Sequence, residues 1–260
     1  MVVIFLAGVL GLATGSFLCL AAERYQPDFS NRQWLRALFS PPSHCTGCGH
    51  PLRLRDLIPL YSWLRLHGRC RYCQIKLPWC LLIVEVITAL LFCTLALYQP
   101  CPALLFFSLI FSAALIALSI IDWHHFILPD AVTLPLLWLG LLYHLLFDDS
   151  GLLAAVMGAL LGWLFLWLLY WGFLAAYGQE GLGYGDIKLF AALGAWCGWQ
   201  ALPLIATLAS LSGLILFTYA YGVKKTVGAH CRQPFGPSLS IAGWAVFIWQ
   251  IQGNSVIPLL

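Results

Sequence analysis

Two aspartates and four cysteines carry most of the chemistry open to this sequence. Asp186 lies in GLGYGDIKLF, residues 181–190, between the apolar run Leu152–Ala176 and a further apolar segment. Asp122 lies in LSIIDWHHFILPD, at the end of another apolar run. An ionised Asp at the centre of a membrane helix costs about 2.5–3.5 kcal/mol on insertion scales, so such a residue is either shielded in a wet cavity or chemically employed. The two are 64 residues apart, on separate runs, and alternation of the runs across a membrane puts them on the same side at matched depth. Two carboxylates brought together in this way share a proton, because neighbouring like charges resist ionising together. The ionised partner can take a proton from a water attacking a peptide carbonyl, while the protonated one donates to the carbonyl oxygen and later helps protonate the leaving amine. Gly181, Gly183 and Gly185 are expected to give the backbone before Asp186 access to positive φ and to let an extended substrate approach.

The cysteines form two C-x-x-C pairs, Cys45/Cys48 and Cys70/Cys73, with 21 residues between the pairs. That is a zinc-ribbon-like spacing, in which each turn presents two thiolates and two turns complete a tetrahedron around one Zn²⁺. An insert of about 50 residues buries little core, so the metal would contribute folding energy. A disulfide pair and a Cys3His site using His44, His50 or His67 are the alternatives. The remaining cysteines read as small apolar fillers, with a bridge between Cys101 and Cys197 conceivable.

The elements that position these residues are membrane helices. Hydrophobic residues make up 62% of the 260 positions and charged residues 9%, which excludes an ordinary soluble domain. Runs of spanning length fall at Val2–Ala22, Trp79–Tyr98, Ala103–Ile121, Ala131–Phe147, Leu152–Ala176, Ala201–Val223 and Leu239–Leu260, with a short eighth at Ile187–Trp199. The expected fold is an all-α polytopic membrane protein of about eight transmembrane helices with a small cytoplasmic insert. Its expected divisions are a first helix at 1–22, the tetracysteine insert at 23–78 and a seven-helix membrane domain at 79–260 carrying the aspartates. The first run lacks a basic start and a small-residue cleavage site, so it reads as a retained helix rather than a signal peptide. Nine of the 13 Lys and Arg lie between Arg24 and Lys76, which places 23–78 in the cytoplasm by the positive-inside rule. The loops at 122–130, 177–186 and 224–238 then share that side, and the loops at 99–102 and 148–151 carry no Lys or Arg. The net charge of +3 reflects this topology and lipid contact, and no nucleic-acid partner is expected.

Other polar residues have plainer readings. Asp130 follows Pro129 and reads as the cap of the fourth long run. Glu85 lies two turns into the second, where polar support or substrate contact is expected. Lys188 has Glu85 and Glu180 as candidate partners, or extends to the membrane surface. His124 and His125, being adjacent, point apart and read as interfacial, as do the Trp and Tyr residues near the run ends.

Several blocks resemble the prepilin peptidases, the leader peptidases and N-methyltransferases of type IV pili and type II secretion. They are GSFLCLAAER at 15–24, DLIPLYSWLRLHGRCRYC at 56–73, VEVITALLF at 84–92, LPDAVTLPLLWLGLL at 128–142, EGLGYGDIKLFAALGAWCGWQALP at 180–203 and PFGPSLSIAGW at 234–244. The resemblance implies eight membrane helices, structural zinc in the insert and catalytic Asp122 and Asp186. It also implies cleavage of short basic leaders after a glycine, from prepilins or pseudopilins, at the cytoplasmic face of the bacterial inner membrane. Methylation of the new N-terminus with S-adenosylmethionine would follow. Cys19, where the family usually has Asn, and KLPWC at 76–80, where it has Arg-Tyr-Pro, depart from the pattern in the part where methyl transfer is expected, and no glycine-rich loop marks a cofactor pocket. A presenilin-like protease shares GxGD but not the tetracysteine insert. A proton- or cation-coupled transporter would use the same aspartates as ion ligands, usually with an internal repeat that this chain lacks.

Overall fold

The computed structural model describes residues 1–45, 47–179, 181–224 and 233–256, and these are helical with no extended strand among them. The helices in chain order are α1 Val2–Glu23, α2 Asn31–Phe39, α3 Tyr61–Arg65, α4 Trp79–Tyr98, α5 Pro102–His125, α6 Asp130–Phe147, α7 Asp149–Tyr177, α8 Tyr184–Cys197, α9 Leu202–Lys224 and α10 Gly236–Val256. Over its described residues, each apolar run read from the sequence corresponds to one of them. Six stretches among the described residues are long and apolar enough to cross a membrane: α1, α4, α5, α6, α7 and Trp199–Thr218. The seventh and eighth expected spans differ for physical reasons. The 14 residues of α8 fall short of the roughly 20 that span hydrocarbon, and α10 is diluted by Gln250, Gln252 and Asn254.

The chain forms two compact units, Met1–Pro100 and Cys101–Leu260, so α4 is grouped with α1 and the insert rather than with the later helices. In the first unit α1 lies against α4 along a seam of glycines. A β-carbon on Gly11 would stand 2.6 Å from Cα of Ala89, and one on Gly15 2.8 Å from Cα of Glu85. Dispersion between closely approaching backbones replaces the hydrophobic drive that lipid cannot supply. Between these helices the insert begins with α2, whose Ser30 and Gln33 form a capping box. Arg24 at the end of α1 donates to the carbonyls of Ala37 (2.7 Å) and Leu38 (3.1 Å), satisfying the last turn of α2.

In the second unit α8 is the buried centre, with Ile187 to Cys197 buried apart from the half-buried Lys188. Its seam with α7 is also glycine: a β-carbon on Gly158 would be 2.2 Å from the carbonyl oxygen of Gly194, and one on Gly194 2.2 Å from that of Gly158. Against α6, the Trp196 indole fits where Gly140 has no side chain and donates to the Leu136 carbonyl at 2.8 Å. Polar side chains join α10 to its neighbours: Gln250 donates to the Cys197 carbonyl and Trp244 to the Ser112 hydroxyl. Cys101 and Cys197 are both free thiols, so the conceivable bridge is not formed.

Candidate active site and metal centre

Asp186 is the third residue of α8, and Gly183 is that helix's N-cap. From this position its carboxylate reaches back to hydrogen-bond the Gly183 backbone, which is half of a capping box. Asp122 lies at the opposite kind of terminus, four residues before Phe126 closes α5 in the left-handed conformation (φ 56°), with the Phe126 N–H on the Asp122 carbonyl at 2.9 Å. Its carboxylate is held by a different helix. Oδ2 accepts the backbone N–H of Gly236, the first residue of α10, at 2.8 Å. Both carboxylates are nearly buried, 5% and 8% exposed, and they stand close enough for the charge of Asp122 to be felt at Asp186. Two helix N-termini, those of α8 and α10, therefore face one pair of carboxylates, and their partial positive charge offsets part of the cost of keeping anions out of water.

The glycines act through space rather than backbone freedom. Gly183 has φ −73° and Gly185 lies inside α8, so neither takes the positive φ expected from the sequence, and that expectation is corrected there. A β-carbon on Gly183 would be 2.9 Å from Asp186 Oδ2, and one on Gly185 2.8 Å from Cβ of Leu128. One on Gly236 would be 2.7 Å from Asp122 Oδ2 and 3.1 Å from Cδ2 of Leu128. Buried Leu128, between α5 and α6, thus wedges against the glycines beside both aspartates. Leu128 and Gly236 are positioning residues that the sequence reading did not single out. The only hint was that LPD and PFGP each put proline at a helix start.

The supporting residues divide between the units. Lys188 pairs with Asp130 at 2.6 Å, on the rim where α6 and α8 begin, and stands 5.5 Å from the centre of the Tyr184 ring. Among the described residues its ion-pair partner is Asp130, and the expected partner Glu180 lies outside them. Asp130 is the first residue of α6 with Pro129 at the cap position, so its carboxylate bonds Lys188 instead of capping the helix. Glu85 is buried in the first unit and accepts the Leu60 N–H at 2.8 Å. Leu60 has φ 58° and caps the short α3, so an intramembrane carboxylate fastens the insert at a strained residue.

The four cysteines converge. Their sulfurs all lie within 4.8 Å of one another, with Cys45 and Cys73 at 3.7 Å. A tetrahedral zinc with bonds of about 2.3 Å needs sulfur separations of roughly 3.8 Å. The two halves repeat one geometry. Cys45 N–H meets the His50 carbonyl and Cys70 N–H the Ile75 carbonyl, and the residue after each second cysteine is left-handed, Gly49 (φ 67°) and Gln74 (φ 58°). The histidines stay outside this group, which removes the Cys3His alternative. The backbone N–H groups of Cys48 and Gly47 draw the Cys45 thiol down to about 6. Although the Ile75 N–H pulls the other way, burial and the thiols of Cys70, Cys45 and Cys48 hold Cys73 up at about 11. Four sulfurs this close resist ionising together without a cation among them, so the donor set fits zinc.

Comparison with known proteins agrees with this geometry. A family model described as the type IV leader peptidase family matches residues 109–218, which include both aspartates. One described as the bacterial peptidase A24 N-terminal domain matches residues 9–99, which include the four cysteines. The prepilin leader peptidase/N-methyltransferase of Aeromonas salmonicida is 42% identical over 269 residues, covering 95% of this chain and 90% of its own length. Its namesake in Pectobacterium carotovorum is 43% identical over 251 residues, with 91% and 89% covered. That of Pseudomonas aeruginosa is 38% identical over 262 residues, with 93% and 88% covered. No solved structure matches the chain. With its paired aspartates in one matched region, its four cysteines in the other and relatives aligned over nearly all of it, the chain belongs to the type IV leader peptidase family.

Proposed function

We propose that the chain is a membrane aspartic endopeptidase that removes the short basic leader of type IV prepilins or type II secretion pseudopilins, and then methylates the new N-terminus. The observation that carries the peptidase reading is the pairing of Asp122 and Asp186 beneath two helix N-termini. A water held between the carboxylates loses a proton to the ionised one as it attacks the scissile carbonyl. The protonated partner donates to the carbonyl oxygen; as the tetrahedral species collapses, the carboxyl that took the water's proton gives it to the departing amine and the other takes back the hydroxyl proton. Gly236 N–H and the Gly183 backbone keep both carboxylates aimed at that water. The exposed Lys188–Asp130 pair lies on the rim, where it serves as support.

Zinc is held by Cys45, Cys48, Cys70 and Cys73 and is structural, since a closed four-thiolate set leaves no open position for water. Methyl transfer rests on the relatives' names, with S-adenosylmethionine as donor. The Lys and Arg bias supports a bacterial inner-membrane orientation with insert and dyad on the cytoplasmic side. The test is cleavage of a purified prepilin in detergent or bilayers. Asp122→Asn and Asp186→Asn should each lower the rate by about 10³-fold or more, because a carboxamide keeps the shape without the proton chemistry. Membrane insertion and zinc content should be unchanged. Substantial turnover by either variant would remove the dyad from the mechanism.

A further inference from the structure

The insert begins with a helix that turns apolar and cationic side chains outward. On α2 only Trp34 is fully buried. Leu35 and Phe39, four residues apart and so on one row of the helix, are 55% and 80% exposed. Arg32 and Arg36 form the neighbouring row, are exposed as well, and have no ion-pair partner among the described residues. Water suits the second row but not the first. A bilayer interface suits both, because the ring and the leucine reach the acyl boundary while the guanidinium groups stay among the headgroups.

Two features favour the bilayer over a protein as what covers this face. The first is depth. The Trp34 indole donates to the Ala21 carbonyl at 3.1 Å and packs edge-on against Tyr25, with ring centres 5.3 Å apart. Arg24 holds the other half of α2 through the carbonyls of Ala37 and Leu38. Both halves are thus fastened to the end of α1, a helix long and apolar enough to span, at the level where Trp and Tyr gather in membrane proteins. The second is sign. Residues 23–78 carry nine Lys and Arg against three Asp and Glu, so the surface calls for an anion, and the basic leader of the proposed substrate has the wrong charge for it. A protein partner would need a face both apolar and acidic at that depth, whereas an anionic leaflet supplies one all around α1.

We infer that α2 is an interfacial helix that binds anionic phospholipid, with Leu35 and Phe39 in the acyl boundary and Arg32 and Arg36 on headgroup phosphates. The leaflet then steadies an insert whose own core is small. Asp122 and Asp186 take no part, so failure of the peptidase reading leaves this surface untouched.

The test uses the full chain in vesicles of phosphatidylcholine and phosphatidylglycerol in equal amounts. With Phe39 replaced by the photo-reactive benzoylphenylalanine, illumination should attach phospholipid to the α2 peptide, read by mass spectrometry. Captured phosphatidylglycerol should exceed phosphatidylcholine by about threefold or more, because each arginine near the surface favours the anionic headgroup. Arg32→Gln with Arg36→Gln should bring the ratio to that of the bulk lipid, and Arg32→Lys with Arg36→Lys should keep the excess. A second measurement leaves both arginines in place: salt raised to about 1 M should shrink the excess by screening while lipid capture persists. Capture of protein in place of lipid, of the two lipids in their bulk proportion, or of neither overturns the inference. So does an excess of phosphatidylglycerol that survives both the glutamine pair and high salt.

Discussion

Asp122 and Asp186 are placed by atoms that are missing next to them. A methyl at Gly236 would fall 2.7 Å from Asp122 Oδ2, so Gly236→Ala must push the carboxylate or tilt the start of α10. Displacement of a catalytic group by about 1 Å costs on the order of 10²-fold in rate, and that loss is expected in the cleavage assay with the protein still inserted. Wild-type activity in this variant would mean that the Gly236 hydrogen bond has no part in positioning. Asp130→Asn should behave differently, because an amide oxygen still accepts from Lys188 and exposed ion pairs contribute only about 0–1 kcal/mol. Its kcat/KM should stay within about threefold of wild type, and complete loss would move Asp130 into the reacting site. The aspartates were legible in the sequence because a carboxylate in an apolar run is conspicuous in itself. Gly236 was not, since its partner lies 114 residues away and nothing local in PFGP names Asp122. The Lys188–Asp130 pair was missed for the same reason. Proline before Asp130 reads as a capping signal, and only the approach of α6 to α8 shows a cation closer at hand.

At the scale of elements, the insert was the most legible part, because C-x-x-C spacing encodes both the turn and the ligand set. The seams α1–α4 and α7–α8 were not, since Gly11, Gly15, Gly158 and Gly194 sit inside apolar runs where periodicity cannot tell a lipid face from a helix contact. The insert has little core of its own: Cys45 and Cys70 are among its few fully buried residues, and Trp34 instead donates to the Ala21 carbonyl of α1. Zinc bound by the four cysteines, as proposed, would supply much of what holds the two knuckles together. Replacing Cys45 and Cys70 together by Ser should eliminate bound zinc, measured by elemental analysis, and should make residues 23–78 sensitive to limited proteolysis. Cleavage of substrate should weaken only as a consequence of that unfolding. A chelator added at the moment of assay should leave the initial rate unchanged, whereas immediate inhibition would place the metal in the chemistry.

For the molecule as a whole, the proposed orientation in the membrane rests on the distribution of charge. Nine of 13 basic residues fall in the insert region, and moving so many cations through the bilayer costs far more than retaining them on the side of synthesis. The 99–102 connection, between α4 and α5, then faces the opposite side, and it contains an exposed native thiol at Cys101. A membrane-impermeant maleimide applied from the outer side of the membrane should label Cys101, and Cys101→Ser should abolish that labelling. Cys48 and Cys73, also exposed on the surface of the chain, should react only after the membrane is opened and zinc is withdrawn. Labelling of Cys48 or Cys73 from outside in intact membranes would invert the topology. It would also carry the dyad with it, because the same alternation of helices that sets the side of the insert sets the side of the loops beside Asp122 and Asp186. A leader held in the cytoplasm could then never meet them, so this one labelling pattern tests the orientation on which the leader-cleavage reading depends.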